Sequence, residues 1–211
     1  MGKKIVITGG LGYIGTELCK IYSGVSWNNE ILVIDNRFIS ERVNQLRNWN
    51  IDFVHGDILD KSLVNRYCKD ADIVHHLAGI TDVPRVKSES NVNKDSKIKL
   101  VAEQGTQNII DSIGDKCKII FPSTHVVYEG VEKVKSDILE DEDTKPILSY
   151  SSSKSINETQ LKKSGKNYII LRLGSVYGYS TDTARIDIMP NLFSKIASQN
   201  GVLKLFAGGR Q

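Results

Sequence analysis

The sequence predicts an α/β fold: a doubly wound parallel sheet with helices on both faces. Three observations predict the sheet. Short apolar runs alternate with amphipathic stretches from Ile5 to Leu173, and strands alternating with helices build a parallel sheet covered on both sides. The first run, Lys3 to Thr8, leads straight into Gly9, Gly12 and Gly15, after which Leu18, Ile21 and Tyr22 continue at helical spacing. A second run, Glu30-Ile-Leu-Val-Ile-Asp35, ends in a carboxylate about 20 residues beyond the last glycine.

Taken in order, strands are expected near 3–8, 30–35, 51–55, 72–77, 117–122 and 167–173. Helices are expected near 13–23, 60–68, 92–113 and 150–164. The longest places Ile98, Val101, Ala102, Ile109, Ile110 and Ile113 near one stripe, as a packed helix requires. The acidic stretch Ser136 to Lys145 lacks a clear period and reads as a solvated loop without chemistry. There is no internal repeat and no low-complexity tract.

Composition bounds the answer. At 211 residues the chain suits one larger domain, or one domain plus part of another. It is 40% hydrophobic and 25% charged, and no apolar stretch approaches the length of a membrane span. The Lys3-Lys4 start lacks the apolar core of a secretory signal, so a cytoplasmic location is the default expectation. Cys19, Cys68 and Cys117 are scattered, odd in number and without a C-x-x-C pair, which favours reduced structural thiols. The net charge of +3 is small. Clusters such as Lys94-Lys97-Lys99 and Lys162-Lys163-Lys166 read as solvated helix faces, and no basic groove interleaved with aromatics points to nucleic acid.

The strand–glycine turn–helix order is what a Rossmann-type dinucleotide site needs. The first glycine permits a tight turn, the second lets the backbone approach a pyrophosphate, and the third lets helix pack on strand. The helix N-terminus offers free N–H donors to the anion. The spacing alone is equally compatible with a strand-to-helix turn that holds no ligand. Asp35 tips the balance, because a carboxylate at a strand end accepts hydrogen bonds from ribose hydroxyls and repels a 2′-phosphate. NAD is therefore favoured over NADP, with Arg37 the residue that could accommodate that phosphate. The third strand ends in Gly56-Asp57, and Asp57 and Ile58 either border the adenine or, for Asp57, cap the next helix. The fourth ends in Leu77-Ala78-Gly79, small residues that let backbone lie against a cofactor or simply make a turn. Adjacent His75 and His76 point to opposite faces of a strand and cannot form a two-ligand metal site. These two and His55 read as structural, and no metal is expected.

A second stretch carries chemistry: Ser149-Tyr150-Ser-Ser-Ser-Lys154. On a helix Tyr150 and Lys154 share one face. An ammonium beside a phenol stabilises the phenolate, so the tyrosine can take a proton from a substrate hydroxyl while hydride leaves the same carbon. Alone, Y-x-x-x-K is a common accident; downstream of a dinucleotide fingerprint it is informative. The fifth strand ends in Ser123-Thr124, at the edge where such sheets bind ligands. Thr124 could align the reacting oxygen with Tyr150; a hydroxyl capping the following turn is the alternative, more so for Ser123.

TGGLGYIG, the strand-end Asp35, GDI, HLAG, the Ser-Thr pair, YSSSK and LRLGSVYG occur in the order of extended short-chain dehydrogenases/reductases. The sequence most resembles their NAD-dependent nucleotide-sugar epimerase/dehydratase branch, which includes UDP-glucose 4-epimerase-like enzymes. The resemblance covers nearly the whole chain. It implies a cofactor site of Gly9, Gly12, Tyr13, Ile14, Gly15, Asp35, Asn36, Asp57, Ile58, Leu77, Ala78 and Gly79, completed by Tyr150 and Lys154. It implies a catalytic triad of Thr124, Tyr150 and Lys154, and substrate contacts from Thr81, Thr124 and Ser175. A homodimer built on the helix from about Val92 and the Tyr150 helix is the corresponding expectation.

Three departures qualify it. Dehydratases of this type carry Asp-Glu directly after the catalytic threonine; His125 and Val126 stand here, and valine transfers no proton. The arginine motif usually has asparagine three residues on, where this chain has Ser175 after Arg172. Family members are usually longer. The resemblance therefore implies a dinucleotide-binding domain over 1–178 and, over 179–211, only the start of a smaller C-terminal substrate domain, cut short, with Ile186 to Gly201 its first helix. The expected activity is epimerisation of a nucleotide-sugar through a transient keto-sugar. A net NAD(P)-dependent oxidoreductase of a sugar or other carbonyl shares the same motifs, and a silent NAD-binding fragment would fit the length.

Overall fold

The computed structural model describes residues 2–25, 28–81, 91–132, 135–180, 185 and 188–205. Six strands, β1 (Lys4–Thr8), β2 (Glu30–Asp35), β3 (Asp52–His55), β4 (Ile73–His76), β5 (Lys118–Thr124) and β6 (Asn167–Leu173), form one sheet in the order β3-β2-β1-β4-β5-β6. Every pairing is parallel. The order reverses between β1 and β4, and sheets of this kind bind ligands in the crevice beyond the strand ends at that point.

Alternation along the inner strands separates two cores. Val6, Leu32, Ile34, Val74, Ile119 and Phe121 bury one face against α3 (Lys61–Cys68), α4 (Val92–Ser112) and α5 (Ser149–Lys163). Ile5, Ile7, Ile31 and Val33 bury the other against α1 (Tyr13–Ser23) and α2 (Ser40–Asn48). Strands covered on both sides read as continuous apolar runs, which is why β1 and β2 stand out in the sequence.

Helix α2 is an addition to the expected elements. Its sequence SERVNQLRN is polar, with only Val43, Leu46 and Arg42 buried. Two apolar positions give too little periodicity to read. The Arg42 guanidinium donates to the Leu11 carbonyl of the glycine turn, so packing rather than intrinsic propensity holds the helix. The cap of α3 is Asp60, whose carboxylate accepts from the N–H groups of Ser62 and Leu63 at 3.0 Å. Asp57, the alternative cap, bonds elsewhere. Strand β5 runs to Thr124, two residues beyond the expected end, and passes into a 3-10 turn over His125–Tyr128.

β6 is an edge strand, and its Ile169 and Leu171 remain 39% and 43% exposed. The last helix, α6 (Met189–Ser198), buries none of its residues. Residues 181–184, 186, 187 and 206–211 of the expected second domain lie outside the described residues. Among the described residues, no helix is long and apolar enough to cross a membrane, and no group of three or more His, Cys, Asp or Glu could hold a metal ion. His76 bridges Thr8 and Thr106 at 2.9 and 3.0 Å, while His75 meets the Tyr22 hydroxyl at 2.7 Å. Burial pushes their pKa values down to about 3 and about 4.

Candidate functional site

A cleft of about 1350 Å³ opens beyond the C-terminal ends of β1, β4 and β5. Its near wall is the glycine turn. Gly9 adopts φ +73°, and a Cβ there would stand 2.7 Å from the Ala78 nitrogen, so the turn and the end of β4 touch only because both are small. A Cβ on Gly15 would fall 2.6 Å from the Gly9 oxygen and the Gly10 Cα; its absence seats α1 against the turn. No side chain caps α1, whose N-cap is Gly12. The N–H groups of its first turn are left for a ligand.

Asp35 is 5% exposed, and one oxygen accepts from the Leu11 N–H at 3.0 Å. The other accepts from the Arg37 N–H at 3.0 Å and Nε at 3.3 Å. The carboxylate thus fixes the shape of the turn as well as lining the cleft. Asn36 Nδ2 donates to Asp57 Oδ2 at 3.0 Å, and Asp57 Oδ1 accepts from the Leu59 N–H at 2.9 Å. Both residues and Ile58 line the same end of the cleft, and Leu77, Ala78, Gly79 and Thr81 continue along it. The Tyr13 hydroxyl donates to the Gly178 carbonyl and accepts from Asn191 Nδ2 at 3.3 Å, tying the glycine turn to the C-terminal segment.

The far wall is built by β5 and α5. Thr124, Tyr150, Lys154 and Ser175 all line the cleft. Thr124 Oγ1 also accepts from the Val126 N–H at 3.3 Å, so it caps the 3-10 turn while facing the cavity. The Ser123 hydroxyl turns away and donates to Glu158 Oε1 at 2.5 Å. Lys154 Nζ donates to the Pro122 carbonyl at 2.7 Å and sits 5.9 Å from the centre of the Tyr150 ring. Burial pushes its pKa down to about 8, against the pull of Glu158. Burial also raises the Tyr150 pKa, and the charge that offsets this is Arg185.

The sequence profile of the NAD dependent epimerase/dehydratase family matches residues 5–211. The chain belongs to that family. It is similar to the UDP-N-acetyl-alpha-D-glucosaminuronate decarboxylase of Bacillus cytotoxicus, 28% identical over 225 residues, covering 100% of this chain and 66% of the relative. It is similar to the CDP-paratose 2-epimerase of Salmonella typhi, 32% identical over 144 residues, covering 63% of this chain and 40% of the relative. The fold matches UDP-glucuronic acid 4-epimerase from Bacillus cereus, solved with UDP-glucuronic acid and NAD, with a TM-score of 0.75 at 25% identity over 99% of this chain and 67% of that one. The chain thus spans 40 to 66% of the length of these two curated relatives.

For this member of the NAD-dependent epimerase/dehydratase family, the structure adds residues that sequence reasoning missed. Lys94 and Lys97, read as part of a solvated face, line the cleft, and Lys94 is half-buried. Arg185 also lines it. No motif marks these residues: Arg185 lies outside any regular element, and the lysines sit in the first turns of α4 among other charges. Only the fold brings them to the site.

Proposed function

We propose that the chain is the NAD-binding and catalytic part of a nucleotide-sugar epimerase acting through a transient keto-sugar. The observation that carries the reading is one cleft lined by the glycine turn, Asp35, Thr124, Tyr150 and Lys154. Its residues fit the cofactor. An uncapped helix N-terminus suits a pyrophosphate, and a strand-end carboxylate suits a ribose. The turn is tight at Gly12, where a Cβ would meet the Gly9 oxygen at 3.1 Å. Gly9, Gly12, Tyr13, Ile14 and Gly15 would hold the phosphates, Asp35 and Asn36 the adenosine ribose, Asp57 and Ile58 the adenine, and Leu77, Ala78 and Gly79 the length of the molecule between.

When bound, NAD supplies reversible hydride acceptance from a sugar carbon. The chain's own residues handle the proton and the oxygen. Tyr150 takes the proton of the reacting hydroxyl, Lys154 as an ammonium stabilises the phenolate, and Thr124 donates a hydrogen bond to the oxygen as it becomes a carbonyl. With the keto-sugar turned over, hydride would return to its other face, and Tyr150 would give the proton back to the oxygen. His125 and Val126 follow Thr124 along the cleft, and this pair supplies no acid–base couple for dehydration. Asp35 lines the cleft at the end of β2, and a carboxylate there repels a 2′-phosphate, which supports NAD rather than NADP.

The test is incubation of the chain with NAD and a panel of UDP-, GDP- and dTDP-hexoses and hexuronates, with products resolved by chromatography. Appearance of an epimer without net NADH supports the reading. Stoichiometric NADH would replace it with a net oxidoreductase, and NAD binding without turnover would leave a cofactor-binding module.

A further inference from the structure

Tyr150, Lys154 and Glu158 recur every fourth residue on α5 and so form one stripe. The third of them has no part in the chemistry above, yet its side chain is only 3% exposed. Its carboxylate is held from two strands. Arg172 on β6 donates from Nε to Oε1 at 3.0 Å and from Nη2 to Oε2 at 2.7 Å. Ser123 on β5, the residue before Thr124, donates to Oε1 at 2.5 Å. Arg172 in turn donates to the Tyr128 hydroxyl, and to the Glu140 carbonyl at 2.9 Å.

The Lys154 ammonium, one turn back, sits against the Phe121 ring at 4.4 Å and donates to a neutral carbonyl. Among the described residues it has no carboxylate at ion-pair distance. A half-buried ammonium in such a place tends to shed its proton. The surroundings supply little to prevent that. From β4, His76 is neutral; from β1 and α4, Thr8 and Thr106 are uncharged; Lys94 and Lys97 of α4 and Arg185 line the same cleft as further cations; and Tyr150 is held protonated. The carboxylates that line the cleft are bonded to other groups: Glu129 to the Ile147 and Leu148 N–H groups and the Ser151 hydroxyl, Asp35 to the Leu11 and Arg37 N–H groups, and Asp57 to Asn36 and the Leu59 N–H. Glu158, one turn further along the same stripe, is the carboxylate whose charge favours the Lys154 ammonium, with Arg172 and Lys162 beyond it, the latter at 3.8 Å.

We propose that Glu158 is a positioning residue of this site: locked by Arg172 and Ser123, its carboxylate keeps the neighbouring Lys154 charged inside the sheet–helix interface. Buried ion pairs are weak contributors to stability compared with apolar residues of the same volume, so welding β5, α5 and β6 together does not by itself call for one. A carboxylate one turn from a half-buried ammonium serves a need that an apolar residue cannot. The inference deepens the proposed function, since it rests on Lys154 acting as a cation.

The test is a 13C NMR titration of the Lys154 Cε resonance in the ligand-free chain, assigned with Lys154→Met. The wild-type midpoint is expected near 8. In Glu158→Gln it is expected to fall by about a pH unit, and the pH at which NAD affinity is lost moves with it. Should that variant fail to fold, the double variant Glu158→Met/Arg172→Met removes both charges without stranding either; because the more distant Arg172 cation goes with the carboxylate, a smaller fall in the same direction is expected. Ser123→Ala keeps the ion pair and should lower the melting temperature while leaving the Lys154 midpoint in place. A wild-type midpoint in the folded Glu158 variants overturns the proposal, whatever their stability. Because the titration needs neither cofactor nor sugar, absence of epimer would count against the proposed function alone.

Discussion

Burial holds the proton on Tyr150, and the charges around it work the other way. Lys154 must be an ammonium to help, and with its pKa near 8 it loses that charge as pH rises. Turnover is therefore expected to decline above about pH 8, a limb that a pH–rate profile would expose. Tyr150→Phe removes the acid–base group and should lower turnover by at least about 10²-fold, with NAD binding retained in a fluorescence titration. At Gly9, alanine would meet both a positive φ and the Ala78 backbone, so a loss of more than about 1 kcal/mol is expected in urea unfolding. His75 and His76 are the acid-sensitive pair. Their folded pKa values lie below the reference 6.5, so the unfolded chain binds protons first, and stability falls as pH drops from about 6.5 towards 4. Each histidine contributes a slope approaching about 1.4 kcal/mol per pH unit, measurable by denaturant unfolding at stepped pH. The sequence marked Tyr150 and Lys154 because their spacing is itself the chemistry. It left Glu158 unmarked, since a buried carboxylate on a polar helix looks like any solvated glutamate until β6 supplies Arg172.

Elements were legible in proportion to how apolar they are. All six strands lie within two residues of their expected ends; β1 and β2, buried on both faces, are the plainest apolar runs, and the exposed edges β3 and β6 still carry enough apolar residues to read. α2 escaped notice because it touches the core at few points. α4 shows a subtler gap between pattern and packing. Its stripe of isoleucines announced the helix, but the contact that matters for the site is polar: Asn108 Nδ2 donates to the carbonyls of Ile58 and Leu59 at 2.9 and 3.2 Å. Gly105 one turn earlier leaves room for Ile58, whose Cδ1 would lie 2.3 Å from an added Cβ. α4 thereby holds the loop that borders the proposed adenine position. Asn108→Ala strands those carbonyls and is expected to cost about 1–3 kcal/mol in chemical denaturation, and to weaken NAD binding as well.

At the scale of the whole molecule, the cleft owes its place to the sheet order. Reversal between β1 and β4 parts the loops that follow them, and β5 brings Thr124 to the same rim. A ligand seated there touches the loops after β1, β2, β3, β4 and β5 together, so it should stabilise the chain as one unit. NAD at about 100 times its dissociation constant is expected to add about 2.7 kcal/mol, seen as a rise in the melting temperature that ADP-ribose reproduces in part. The same order has a bearing on how the chain is made. β1, the strand with a neighbour on each side in the middle of the sheet, emerges from the ribosome before any strand it pairs with, and its second partner ends only at His76. During that interval its Ile5-Val6-Ile7 core lacks one of its two neighbouring strands. The β1–β2–β3 half can form as it is translated, with β1 its open edge, so the most deeply buried strand of the finished protein spends part of its synthesis as the exposed one.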